Sequence, residues 1–190
     1  MKAKAILMLL ILLVTLFTGC TQQPAPPAPT PTPLQTSPPE TTPDVKTTAS
    51  IVDNADAFEK AISATGTWII CLTKDLTVNK DLVLDGEFKN GKKDANGKEI
   101  IQRKIALYTQ DDKKVVTARF TLTAPKLTIK SPEARIQSGT FKGDLYVSAK
   151  NFQLVDATVV GNVYFTSEEA KSTFKMDDKS KVTGKQELKK

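Results

Sequence analysis

The chain has 190 residues, 39% of them apolar and 25% charged, with 27 Lys and Arg against 21 Asp and Glu and no histidine. Without histidine there is no imidazole to activate a nucleophile or ligate a metal, and the two cysteines, Cys20 and Cys71, sit in regions of different character. Lys2 and Lys4 belong to an apolar leader; without them 25 basic residues face 21 acidic ones, a surplus too mild to indicate nucleic acid.

Residues 1–19, MKAKAILMLLILLVTLFTG, combine two lysines with an apolar run from Ala5 to Phe17. That is the composition of a secretory signal peptide, and the run is too short to span a membrane comfortably. The ending Phe17-Thr18-Gly19-Cys20 resembles the lipobox of bacterial lipoproteins. The resemblance implies that Cys20 is diacylated with palmitate-like chains and becomes the first residue after cleavage. It places the protein on the extracytoplasmic face of the cell membrane, held by a lipid anchor. Two acyl chains hold stably where one binds only marginally.

Residues 20–50 follow as the lipidated cysteine and a Pro/Thr-rich linker. Thr21 to Ser50 carries nine of the eleven prolines and almost no large apolar side chain. Such a segment cannot bury enough surface to offset its ordering entropy, and the expectation is a disordered, extended tether. At about 3.1 Å per residue its reach is up to roughly 90 Å, enough to hold a domain away from the bilayer.

Residues 51–190 are long enough for one core. A helix is predicted within 51–66: Asp53 or Asn54 can cap it, Asp56 and Glu59 suit its first turn, and Phe58, Ala61 and Ile62 share one face. Beyond it, WIICLT, KDLTVNKDLVLDG, KIALYT, KKVVTARFTLT, PKLTIKS, ARIQS, GDLYVSA, FQLVDA, GNVYFTS and TFKMDD alternate apolar and polar residues over short runs and read as strands. Cys71, within the run WIICL, reads as a small buried hydrophobe. Residues 87–104, rich in Gly and Lys, read as a loop insertion, and TQDDKKVV carries the chemistry of a hairpin.

The strands repeat. At a step of 18 residues Ile136 falls on Leu154, Thr140 on Thr158, Phe141 on Val159, Gly143 on Gly161, Leu145 on Val163 and Val147 on Phe165. One step back, Leu127 and Ile129 join the series; one step forward, after SEEAKS, Phe174, Met176, Val182 and Gly184 continue it at a longer interval. A unit this short cannot bury its apolar side alone, but copies stacked at the strand spacing of roughly 4.8 Å enclose a column of side chains. The expected fold is all-β, a parallel β-solenoid of about five coils with a short N-terminal capping α-helix.

Two resemblances extend this reading. Residues 57–86, AFEKAISATGTWIICLTKDLTVNKDLVLDG, are similar to the helical cap and first coils of pectate-lyase-like β-helices, which implies a right-handed parallel β-helix. Residues 134–165 resemble bactofilin repeats through Gly143-Asp144-Leu145 and Gly161-Asn162-Val163. Both resemblances imply shape more than activity.

Little in the chain suggests chemistry. Asp156 and Asp178, with Ser138 beneath, form a ladder that could hold a hard cation, but Asp in such places more often bonds its own backbone in a turn, so no metal and no cofactor are expected. Tyr146 and Tyr164 each lie between two inward-facing apolar residues and therefore point outward, one above the other. They form an aromatic strip that either contacts a sugar or protein partner, or only stabilises adjacent strands. The expected function is a non-catalytic envelope module, structural or binding, whose partners are the membrane through its anchor and a cell-wall polymer or envelope protein. The alternative is a carbohydrate-binding or polysaccharide-cleaving β-helix protein, which would need Arg103, Arg119 or Arg135 to converge with aspartates in a cleft.

Overall fold

Short alternating runs bounded by turn residues become short strands, from two residues in Leu76–Thr77 to nine in Thr121–Ile129. The computed structural model describes residues 50–189; the leader, Cys20 and the proline-rich stretch lie outside the described residues. In chain order, β1 (Ser50–Val52) leads into α1 (Ala55–Ile62), followed by β2 (Ile69–Leu72), β3 (Leu76–Thr77) and β4 (Leu82–Leu84). A hairpin of β5 (Lys89–Lys93) and β6 (Glu99–Ile101) precedes β7 (Arg103–Ala106), and a second, β8 (Tyr108–Gln110) and β9 (Val116–Arg119), precedes β10 (Thr121–Ile129). Then come β11 (Ala134–Gln137), β12 (Thr140–Val147), β13 (Gln153–Val155), β14 (Thr158–Val160) and β15 (Val163–Phe165). A short α2 (Glu168–Ser172) leads to β16 (Lys175–Met176), β17 (Lys181–Val182) and β18 (Gln186–Leu188).

The chain is all-β in class, with parallel sheets and little helix. A first sheet runs β1-β2-β7-β11-β13-β16, so its spatial order is its chain order. A second sheet is centred on β10 and β12, each long enough to serve two short neighbours: β10 pairs with β3 and β4, and β12 with β14 and β15. β17 and β18 extend it beyond β14 and β15. The registers Ile136–Leu154, Phe141–Val159, Leu145–Val163 and Val147–Phe165 are those the 18-residue step predicts. After α2 the step lengthens, Leu154 pairing with Met176 and Val159 with Val182.

Stacking in register converts alternation into columns. Ile70, Ile105, Ile136 and Leu154 lie over one another from the first sheet, and Leu127, Leu145 and Val163 from the second, all at most 1% exposed. Each such side chain contributes about 1.5–3 kcal/mol on leaving water. At one end α1 follows β1 and buries Phe58, Ala61 and Ile62 in the same core. Asn54 caps it by accepting from the Ala57 N–H at 2.9 Å.

Two local features differ from the sequence reading. The stretch 87–104, expected as a loop, contains the β5–β6 hairpin and the start of β7. Its turn is built by Asp94, whose carboxylate accepts from the backbone N–H groups of Asn96 and Lys98, and by Gly97 at φ +78°. SEEAKS is not only a lengthening but a helical turn, capped by Ser167 accepting from the Ala170 N–H.

Gly143 and Gly161 mark the bend between the two halves of the second sheet. Their φ values are +139° and +152°, and a Cβ on Gly161 would lie 2.0 Å from the Gly143 carbonyl oxygen. On the other side of Gly143, β10 carries one residue more, Ala124-Pro125, a bulge that accommodates a proline without an N–H. Gly161→Ala is therefore expected to cost about 3 kcal/mol or more, whereas Gly97→Ala, with nothing within 4 Å of its added methyl, costs only the left-handed backbone, about 1 kcal/mol. Denaturant midpoints of the two variants measure the difference; equal midpoints would show that the glycine contact is relaxed by movement of the strands.

Candidate functional site

The outward positions of the second sheet form rows across the strands. Thr128, Tyr146, Tyr164 and Glu187 occupy one such row in register. The two tyrosine rings lie 5.0 Å apart between centroids and are tilted by 47°, so the pair is a stepped edge rather than a flat strip. Both side chains are half-buried. Lys189 reaches across them: its ammonium sits 4.5 Å from the Tyr164 ring centroid and 5.5 Å from that of Tyr146, and donates to the Tyr146 hydroxyl at 3.2 Å. Lys126 also lies over Tyr146, its ammonium 5.6 Å from the ring centroid, while paired with Asp81.

Cations over the two ring faces stabilise each ring by about 0.5–1 kcal/mol at such exposed sites. They also change what the row offers a ligand: hydroxyls and ammonium groups framing aromatic edges, suited to a hydroxylated or anionic group. The hydrogen bond to Tyr146 raises the Lys189 ammonium above the ordinary lysine value, with the tyrosines and Glu187 adding to the shift. Sequence periodicity does not single out Lys126 or Lys189, because the first lies beyond a bulge that breaks the repeat and the second stands among many lysines near the C-terminal end.

The row rests on a polar ladder. Asp144 accepts from the backbone and side-chain amides of Asn162 at 2.9 and 3.0 Å, and the Asn162 side-chain Oδ1 accepts from the Lys185 N–H at 2.9 Å. The second acidic ladder is also turn chemistry. Ser138 donates to Asp156 at 3.1 Å, and it is Asp177, not Asp178, that stacks on Asp156, accepting its N–H at 2.9 and 3.1 Å. The Ser180 hydroxyl and the backbone N–H groups of Asp156, Lys179 and Ser180 hold the Asp177 carboxyl below its usual range. Arg119 closes the ladder with a 2.6 Å ion pair to Asp156. No group of three or more acidic, cysteine or histidine side chains is placed to hold a metal among the described residues.

The three arginines have separate partners. Arg103 is fully buried and donates to the carbonyls of Asp85, Ala61 and Ser63 at 2.7, 2.7 and 2.9 Å, with its guanidinium 3.8 Å above the Phe88 ring. Burial pulls it down to about 10, Asp85 opposing, which leaves it charged at neutral pH. It fastens the C-terminal end of α1 to the turn after β4. Arg119 holds Asp156, and Arg135 donates to Gln153 at 2.8 Å on the first sheet.

Cys71 is a correction. It is half-buried on the outer face of β2, between the inward-facing Ile70 and Leu72, rather than in the core. Partial burial raises its thiol above the usual value, and Lys104 pulls it back. The run WIICL hides this because a strand with an apolar outer face does not alternate. No protein-family model, curated protein or solved structure matches the chain.

Two outcomes follow. In Tyr146→Phe, the Lys189 ammonium should titrate closer to an ordinary lysine, followed by NMR of the side chain; an unmoved titration removes the hydroxyl as its cause. Arg103→Lys, which cannot reproduce the three-carbonyl fork, should lower stability by about 2–3 kcal/mol, against less than about 1 kcal/mol for Arg119→Ala at an exposed pair. Both are read from chemical denaturation.

Proposed function

We propose that the chain is a lipoprotein anchored through Cys20 on the extracytoplasmic face of the cell membrane. Its folded part is a right-handed β-solenoid of about five coils that serves, without catalysis, as a structural or binding module of the envelope. The observation that carries this reading is how the polar groups are spent. Asp144, Asp156, Asp177, Arg103 and Arg119 are each engaged in bonds that hold one coil to the next or to the helix. What the second sheet presents outward is the Tyr146–Tyr164 row. The lipobox-like leader and the proline-rich stretch supply attachment and distance.

The alternative, carbohydrate binding, draws on the same row: Tyr146 and Tyr164 with Lys189 form an aromatic edge with polar tips, which matches the mixed surface of a sugar. Its partner would be a cell-wall polymer.

Cys20→Ala in the full chain is expected to abolish incorporation of labelled fatty acid and to release the protein from the membrane fraction; a variant that stays membrane-bound would overturn the anchor. Retention of the full chain on isolated cell-wall polymer should fall about tenfold in Tyr146→Ala/Tyr164→Ala if the row is the contact. Equal retention would leave the tyrosines a role only between strands.

A further inference from the structure

The outer face of the first sheet changes character along its length. Two of its outward rows are set by register: Ile69, Lys104, Arg135, Gln153 and Lys175 in one, and Ile51, Cys71, Ala106, Gln137 and Val155 in the other. Towards β16 these positions are mainly polar, as expected of a wetted face. Towards β1 they are apolar, and Ile51 is left 74% exposed. The β8–β9 hairpin leaves the stack directly after Ala106 and stands beside this apolar end, closing a groove of about 330 Å³. Its floor and near wall are Ile51, Ile69, Cys71 and Ala106, and Tyr108 with Thr109 forms the hairpin side.

The groove has one charge. None of its lining residues is acidic, and Lys104 supplies a cation whose ammonium donates to the Tyr108 hydroxyl at 3.3 Å. Lys104 also lies directly opposite Arg135 on the next strand. Like charges in facing positions on a sheet destabilise one another. Among the described residues neither is in an ion pair, and the Arg135 Nε is buried without a partner. An anion at the mouth of the groove would relieve that repulsion.

We infer that this groove binds a single-chain amphiphile: an alkyl tail along Ile51, Ile69, Cys71 and Ala106, and a carboxylate or phosphate head on the Lys104 ammonium and Tyr108 hydroxyl. The chemistry selects against simpler ligands. A bare anion leaves the apolar walls in water, and an uncharged alkane leaves Lys104 facing Arg135. The volume lies at the small end of ligand sites and suits one chain. The site is on a different sheet from the tyrosine row, and the inference stands independently of the envelope reading.

Cys71 lies in the wall and reports occupancy. The full chain is treated with iodoacetamide, and alkylation of the Cys71 peptide is followed by mass spectrometry with submicellar decanoate, decyl phosphate, decanol or acetate present. Decanoate and decyl phosphate should each slow alkylation about fivefold or more, and whichever protects at lower concentration identifies the preferred head. Decanol and acetate at equal concentration should have little effect. Protection by acetate alone, by decanol as strongly as by decanoate, or by none of the four overturns the proposal. So does protection by anionic phospholipid vesicles without protection by the monomers, which would make the face a membrane contact. Lys104→Gln should raise the decanoate concentration needed about tenfold, the loss of one charge-assisted hydrogen bond. Lys175→Gln, in the same row but away from the groove, should leave it unchanged; an equal effect would indicate a diffuse cationic surface and sink the groove.

Discussion

A parallel ladder of backbone hydrogen bonds lays each short strand directly on the one before it in its sheet, and the registers leave little freedom in how the rest is arranged. Because the side-chain period along a strand is two, a slip of one residue would turn Leu145, Val147, Val163 and Phe165 outward together. The apolar columns and the ladder therefore enforce each other. The glycine bend shows how tight the arrangement is: Gly161 rests on the carbonyl of Gly143, and Gly184 donates its N–H to the carbonyl of Gly161 at 3.0 Å.

The corners of the stack are held by a second, side-chain ladder. Glu133, Ser138, Asn151 and Asp156 all adopt the left-handed conformation, at φ +53°, +56°, +58° and +52°. Each non-glycine residue there costs about 1–2 kcal/mol. The costs are offset along the stack: the Asn151 amide donates to Glu133, the Ser138 hydroxyl to Asp156, and the Asp156 N–H to Asp177. A hydrogen bond of this kind contributes about 0.5–1.5 kcal/mol, and more where a carboxylate accepts. The acidic residues of these ladders are thus the fasteners of turns that recur at the repeat step.

The two outer faces divide differently. On the second sheet, aromatic and basic side chains interlock, with Lys126 and Lys189 over the tyrosine rings, so charge is spread over polarisable surface. On the first, Lys104 and Arg135 share a row without an acidic neighbour in it, and the apolar end of that face is walled by an inserted hairpin. The hairpins lie outside the repeating unit, and an insertion between parallel strands is where the sheet can gain a concave surface without disturbing its ladder.

What the sequence by itself determined is the repeat and its inward face. The step from Gly143 to Gly161 specifies which residues stack, and the alternation around Tyr146 and Tyr164 specifies that both point out, because period and register are local properties of the chain. The helix at Phe58 to Ile62 was legible for the same reason. Only the tertiary structure decided what those positions touch. Arg103 is sealed against α1 because the helix ends over the turn after β4, a contact between residues some forty positions apart. Lys189 covers the tyrosines through a contact of similar reach. Asp177 rather than Asp178 meets Asp156 because the last step of the chain is longer and irregular. Cys71 faces a groove because a hairpin, whose residues show no kinship to the repeat, folds back beside it. Periodicity carries a chain through its regular repeats, and it stops being informative where an insertion, a bulge or a long side chain crosses between them.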